Sequence, residues 1–168
     1  MTEDNVAHDA VVIERSFAAP VELLWRLWTE PEHFAAWYGP ADARVVVAKM
    51  DVRVGGARLV GMEGDTPVRP VQMWFAGEYL EVVAHQRIVY TESMSDADGN
   101  ALSPDELGMP DGHPMTTEVT VEFTDRDGRT KLVLTHRGIP ADSPGAAGWA
   151  TALDKLAAHV DDQNTRSR

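Results

Sequence analysis

Cysteine is absent from the chain. That removes disulfides, thiolate nucleophiles and cysteine-ligated zinc or iron–sulfur centres at once. The absence fits a reducing cytosol without requiring one. Basic residues are scarce: 15 Lys and Arg stand against 27 Asp and Glu, for a formal charge of −12 at pH 7. Nucleic-acid affinity comes largely from Lys and Arg neutralising phosphates, so no nucleic-acid partner is expected. The same balance disfavours an anionic membrane surface. No apolar run approaches the ~20 residues of a membrane span. Met1-Thr2-Glu3-Asp4-Asn5 lacks the basic and apolar regions of a secretory signal. The expected location is cytoplasmic, with no membrane insertion.

Motifs for metals and cofactors are equally scarce. The histidines His8, His33, His85, His113, His136 and His159 are scattered, without HExxH spacing. The glycines form neither GxGxxG nor GxxxxGK[ST], and no GxSxG elbow is present. Asp96, Asp98, Asp105, Glu106 and Asp111 are acidic neighbours, but they lack the ligand spacing of a calcium loop. No metal and no cofactor is expected.

What the chain does have is enough apolar residue, 43% of 168 positions, to close one core without staples. The expected organisation is a flexible tail over 1–9, one domain over 10–161 and a flexible tail over 162–168. Val11, Ile13 and Phe17 recur at period two and predict a first strand over 10–17. Pro20 then suits the first turn of a helix carrying Leu23, Leu24, Leu27 and Trp28. Pro31 opens a second short helix that Gly39-Pro40 ends. Strand-like runs follow over 44–52, 57–62, 71–83 and 87–94. In the run over 71–83, Met73, Phe75 and Tyr79 occupy one parity while Trp74, Leu80 and Val82 occupy the other. Apolar residues on both parities suggest a bulge or a strand buried on more than one side.

The clearest hairpin joins 116–124 to 130–136 through Asp127-Gly128. It sets Val119, Val121 and Phe123 on one face with His136, Leu134 and Leu132. Glu118, Thr120 and Glu122 are expected in water. Ser143 could cap a last helix whose stripe is Trp149, Leu153, Leu156 and Val160. The polar segment 95–114 reads as a mobile lid or a plain insertion, with a helical turn over 104–107. The sum is an α+β fold: one curved antiparallel sheet wrapped around a long C-terminal helix, with two short helices after the first strand.

Several strings then carry a resemblance. Thr29-Glu30-Pro31-Glu32-His33 runs into Trp37-Tyr38-Gly39-Pro40, and Val54-Gly55-Gly56 follows. Gly77-Glu78-Tyr79-Leu80-Glu81-Val82-Val83, Arg87-Ile88-Val89-Tyr90-Thr91 and Gly148-Trp149 with Leu153 complete the set. In order and spacing over 10–160 the chain resembles the SRPBCC superfamily, also called START-like, helix-grip or birch-pollen-allergen-like. Within it, the chain is similar to the branch named after the activator of the heat-shock protein 90 ATPase. It departs from that pattern in the segment 95–114 and in Tyr38, where a second Trp is frequent. The resemblance implies seven strands gripping the last helix, with a cavity between them. It implies no single activity, since the superfamily spans lipid carriers, hormone receptors and cyclases. The chaperone activators of the branch carry a further N-terminal domain, for which this chain is expected to have no room.

The candidate cavity lining is Trp28, Trp37, Met50, Met62, Met73, Phe75, Tyr90, Met115, Trp149 and Leu153, with Met94 beside them. Thioethers and indoles adapt to irregular apolar ligands, although each such residue could equally be plain core. His136 and Glu92 are the candidate polar groups. His136 shares a face with Leu132 and Leu134 and could orient a ligand or move a proton. Glu92 shares its parity with Tyr90 and, if buried, could act as a base. The plainer reading leaves both near open strand ends, in water. Arg58 and Arg69 could meet an acidic ligand group, although such residues are usually solvated. The expected function is binding of a small hydrophobic or amphipathic molecule. The alternatives are a cyclase- or hydrolase-like enzyme using His136 or Glu92, and a chaperone-associated protein. A chaperone partner follows from the family name alone, and an exposed edge strand leaves a homodimer open.

Overall fold

Apolar alternation builds the first strand, β1 (Ala10–Phe17), in which Val11 and Phe17 are buried while Val12, Glu14 and Ser16 are exposed. The computed structural model describes residues 10–39, 43–64, 71–102, 116–139 and 144–166. After β1, Pro20 holds an extended backbone at the cap of α1 (Val21–Thr29), one step before the first turn in which it was expected. A short second helix, α2 (Pro31–Trp37), begins on Pro31 with Glu32 in its first turn, where a carboxylate suits the helix dipole. Gly39 then turns the chain away at φ +98°, a left-handed conformation that favours glycine.

Six strands follow: β2 (Ala43–Met50), β3 (Ala57–Gly64), β4 (Val71–Val83), β5 (Arg87–Ser95), β6 (Thr116–Arg126) and β7 (Arg129–Arg137). They form one seven-stranded antiparallel sheet in the order β1-β7-β6-β5-β4-β3-β2, so the first strand lies beside the last. Asp127 (φ 57°) and Gly128 (φ 86°) turn the β6–β7 hairpin, as an Asp-Gly pair should. Its register sets Val119 opposite His136, Val121 opposite Leu134 and Phe123 opposite Leu132, as the sequence predicted. In β4 the pairing slips between Tyr79 and Glu81, and this bulge brings Val82 to the core side with Tyr79, while Trp74 lies over Gly61 and Leu80 is exposed.

One outer-face expectation fails. Glu122 is exposed, but Thr120 is only 7% exposed. It sits mid-sheet between Val89 and Thr135, and a short side chain between two such neighbours is shielded from water.

The closing helix, α3 (Pro144–Arg166), runs on past Asp161, where the domain was expected to end. It lays Trp149, Ala152, Leu153, Leu156 and Val160 against the sheet at helical spacing. Together with α1 and α2 it covers the sheet's concave face, so the core is a single cluster. The start of the segment after β5 is a closed turn. The Asp96 carboxylate accepts the N–H groups of Asp98 and Asn100, and Leu102 N–H bonds Met94 O at 3.0 Å. The expected helical turn at 104–107, the Ser143 cap and the rest of the lid segment lie outside the described residues.

Candidate functional site

The apolar part of the site is an aromatic wall built by the three helices. Trp28 of α1 stacks on Trp149 of α3, with ring centroids 6.2 Å apart and planes 22° from parallel. Phe34 of α2 stacks on Tyr38 at 4.3 Å, and Tyr38 meets Trp149 edge-on at 5.6 Å. Trp37 is anchored by its indole N–H, which donates to Leu27 O at 2.8 Å. Of the residues expected to line a cavity, the structure brings Trp28, Trp37, Met62, Tyr90, Trp149 and Leu153 into one buried cluster. Met50, Met73 and Phe75 pack against it half-buried, and Met94 is half-buried opposite Phe75. Met115 and Arg69 lie outside the described residues.

Facing this wall, the sheet presents a polar cluster. Arg58 of β3 is 2% exposed, so the expectation that it would be solvated is wrong. Its parity matches Val60 and Met62, and both of those point into the core. The guanidinium stacks over Tyr90, with Cζ 4.0 Å from the ring centroid, and lies 5.1 Å from Phe34 and 5.7 Å from Tyr38. Such contacts stabilise a desolvated cation. Glu92 of β5 is 9% exposed, so it is not an open strand end in water. Its Oε2 is 3.8 Å from Arg58 Nη1 and accepts a long hydrogen bond, 3.4 Å, from the Tyr38 hydroxyl.

Arg58 pairs with Gly77 on the intervening strand β4. A Cβ at Gly77 would stand 1.8 Å from the Thr91 carbonyl oxygen, so no other residue fits there. Gly77 therefore lets the β4 and β5 backbones approach closely at Thr91, one residue before Glu92.

The cluster is short of partners. Arg58 Nη1 and Nη2 and the hydroxyls of Tyr79 and Tyr90 are buried without an aligned hydrogen bond. Arg58 lies near enough to the Tyr79 and Tyr38 hydroxyls to counter part of the rise in their pKa, yet in no aligned hydrogen bond to Tyr79. Burial pushes all three tyrosine hydroxyls above their ordinary pKa, and at Tyr38 the Glu92 charge adds to that. They are therefore neutral donors at working pH. Most buried polar groups find partners, so several unpaired ones in a single place need an explanation.

Next to Glu92, the imidazole of His136 is 6% exposed, which corrects the expectation of a surface ring. Trp149 Nε1–H donates to His136 Nδ1 at 2.8 Å. An indole nitrogen only donates, so in the neutral ring the proton must sit on Nε2. Nε2–H then donates to Thr117 Oγ1 at 2.6 Å, and that hydroxyl donates to the Glu92 backbone oxygen at 3.3 Å. Burial holds the His136 pKa below its ordinary value, with the Glu92 charge partly opposing. Protonating Nδ1 would also set two donors face to face. Both ring nitrogens are engaged, so His136 positions the wall rather than offering a proton site to a reactant.

Lys155 of α3 ties the rim together. Its ammonium donates to the carbonyls of Tyr38, Gly39 and Ala43 at 3.4, 3.1 and 3.2 Å. Lys155 and Thr117 were not among the expected site residues, and Tyr38, Gly77 and Tyr79 entered only through the family strings. The available signal was parity: Arg58 sits in phase with Val60 and Met62, and Thr117 with Val119. Among the described residues, no group of three or more His, Asp or Glu could hold a metal ion. No described helix is long and apolar enough to cross a membrane.

Comparison with known proteins agrees with this architecture. A structure from Chromobacterium violaceum is 29% identical, covers 90% of this chain and 96% of its own, and superposes with a TM-score of 0.71. The AHSA1 protein from Silicibacter pomeroyi is 20% identical, with 92% and 99% coverage and a TM-score of 0.70. A solution structure from Arthrobacter aurescens is 18% identical, with 94% and 88% coverage and a TM-score of 0.73. At these last two identities the likeness shows the fold alone. No curated protein matches the chain. Residues 18–161 match the family described as "Activator of Hsp90 ATPase homolog 1-like protein", whose fold commonly binds hydrophobic ligands. From β1 to α3, then, the chain belongs to the activator of Hsp90 ATPase homolog 1-like family of the SRPBCC superfamily.

Proposed function

We propose that the chain binds one small hydrophobic or amphipathic molecule between the concave face of its sheet and α3. The observation that carries this is the set of unpaired polar groups around Arg58 inside an aromatic core. For stability alone, a buried ion pair is usually matched or bettered by apolar residues of similar volume. Retaining Arg58, Glu92, Tyr79 and Tyr90 in the core makes sense if something else meets them there. The wall of Trp28, Tyr38 and Trp149 supplies the apolar contact, and the fold of the family supports the same use. Acid–base catalysis has less support, because the His136 ring is engaged at both nitrogens.

The test is titration with Nile red, a neutral dye whose emission rises in apolar surroundings. Saturable binding near one dye per chain, with a raised melting temperature, is expected. A failure to saturate would leave the helix–sheet interior as packed core and overturn the reading.

A further inference from the structure

We infer that the Arg58 cluster is a head-group subsite, and that it takes a neutral acceptor oxygen, a carbonyl or hydroxyl, on an otherwise apolar molecule. This rests on the ligand-binding reading above and specifies the chemistry of its polar end.

Several donors in the cluster meet no acceptor in line. The unpaired atoms are Arg58 Nη1 and Nη2, Tyr79 Oη and Tyr90 Oη, all more than nine-tenths buried as residues. A guanidinium only donates, and a neutral phenol has a proton to give. Glu92 Oε2 already takes the Tyr38 hydroxyl and faces Arg58 from 3.8 Å, and the Tyr79 and Tyr90 oxygens, which can also accept, are not aligned to do so. A ligand bringing an oxygen with lone pairs would answer these donors. A ligand bringing an ammonium would add donors and leave the existing ones unmet.

Charge decides which kind of oxygen. Arg58 and Glu92 cancel each other, the tyrosines are neutral and the neighbouring His136 is engaged at both nitrogens. A carboxylate would place a second anion beside Glu92 against one guanidinium, in surroundings made of aromatic rings. Leaving a charge buried without a partner is costly. A carbonyl or hydroxyl keeps the balance and still fills the donors. Tyr79 and Tyr90 stand directly opposite each other on β4 and β5, their rings 6.0 Å apart and edge-on. Arg58 lies over the Tyr90 ring, so the unmet donors of all three residues share one place.

The experiment uses three probes of nearly one shape at pH 8: ethylbenzene, acetophenone and benzoate. Each is titrated against the full chain by ligand-observed NMR. Acetophenone should bind about tenfold or more tightly than ethylbenzene and also more tightly than benzoate. Arg58→Met should erase the preference. The Tyr79→Phe, Tyr90→Phe double variant removes two hydroxyls at almost constant shape and should reduce it, so a folding failure of Arg58→Met leaves the test intact. Equal affinity for ethylbenzene and acetophenone overturns the subsite and leaves the ligand-binding reading standing. Benzoate binding most tightly overturns the neutral-oxygen assignment. If none of the three binds while Nile red does, this inference alone falls; if Nile red is silent too, both fall.

Discussion

Two halves of one concave face are buried by different means. Near α1 the sheet offers Val121, Phe123, Leu132 and Leu134, and the helices answer with Leu24, Leu27 and Leu156. Every one of these side chains is apolar, and Trp25 closes the margin against Phe123 at 5.6 Å. Near α2 the same sheet offers Arg58, Tyr79, Glu92 and His136 beneath Tyr38 and Trp149. Burial is equally deep in both halves. The leucines, valine and phenylalanine named in the first half carry no polar side-chain group, while the second half holds an ion pair at 3.8 Å and several unpaired donors. Depth of burial therefore does not mark a candidate site here; unsatisfied polarity within that depth does.

The comparison can be broken most forcefully at its polar half. Glu92→Leu leaves Arg58 buried without a counter-ion and should cost about 3–5 kcal/mol in urea unfolding. Adding Arg58→Met to it should recover most of that loss, because an apolar pair of similar volume suits the interior as well or better. If the double variant is as unstable as the single one, the pair is structural after all and the contrast between the halves dissolves.

Trp149→Ala should cost a similar ~3–5 kcal/mol, because it opens a hole between Trp28 and Tyr38. An unchanged melting temperature would place Trp149 outside the wall. Lys155→Met should cost less, about 1–3 kcal/mol, for three carbonyls stripped of a charged donor. Its particular signature is faster Nile red dissociation, because the rim around Gly39 loses its tie to α3. Unchanged dissociation would show that the rim does not gate the interior.

The smallest effect sharpens the comparison through pH. His136 has a folded pKa below its unfolded value of about 6.5. The unfolded chain therefore takes up this proton first as pH falls. The contribution of His136 is complete above pH ~6.5 and is lost as pH drops toward the lowered folded value. Trp149→Phe removes the indole donor that occupies Nδ1, lets the folded ring accept a proton and should flatten this slope. Leu134→Ala in the apolar half should lower stability at every pH without changing the slope. A slope unaltered by Trp149→Phe would assign the titration to another group.

Local sequence was enough for the order of elements along the chain, the β6–β7 register and the buried stripe of α3, and it offered a slip in β4 as one of two readings. Each of these follows from period, parity or turn residues within one short window, and such signals survive without tertiary context. The same logic placed Val119, Val121 and His136 on one face. Tertiary structure alone decided what His136 and Glu92 meet. Arg58 meets Glu92 because β3, β4 and β5 lie side by side, with Gly77 letting the β4 and β5 backbones approach closely. The His136 tautomer is settled by Trp149, a residue on another element that approaches only once α3 closes over the sheet. Parity can say that a polar residue points inward. Whether it finds a partner there depends on side chains arriving from distant parts of the chain, and no local pattern encodes their arrival.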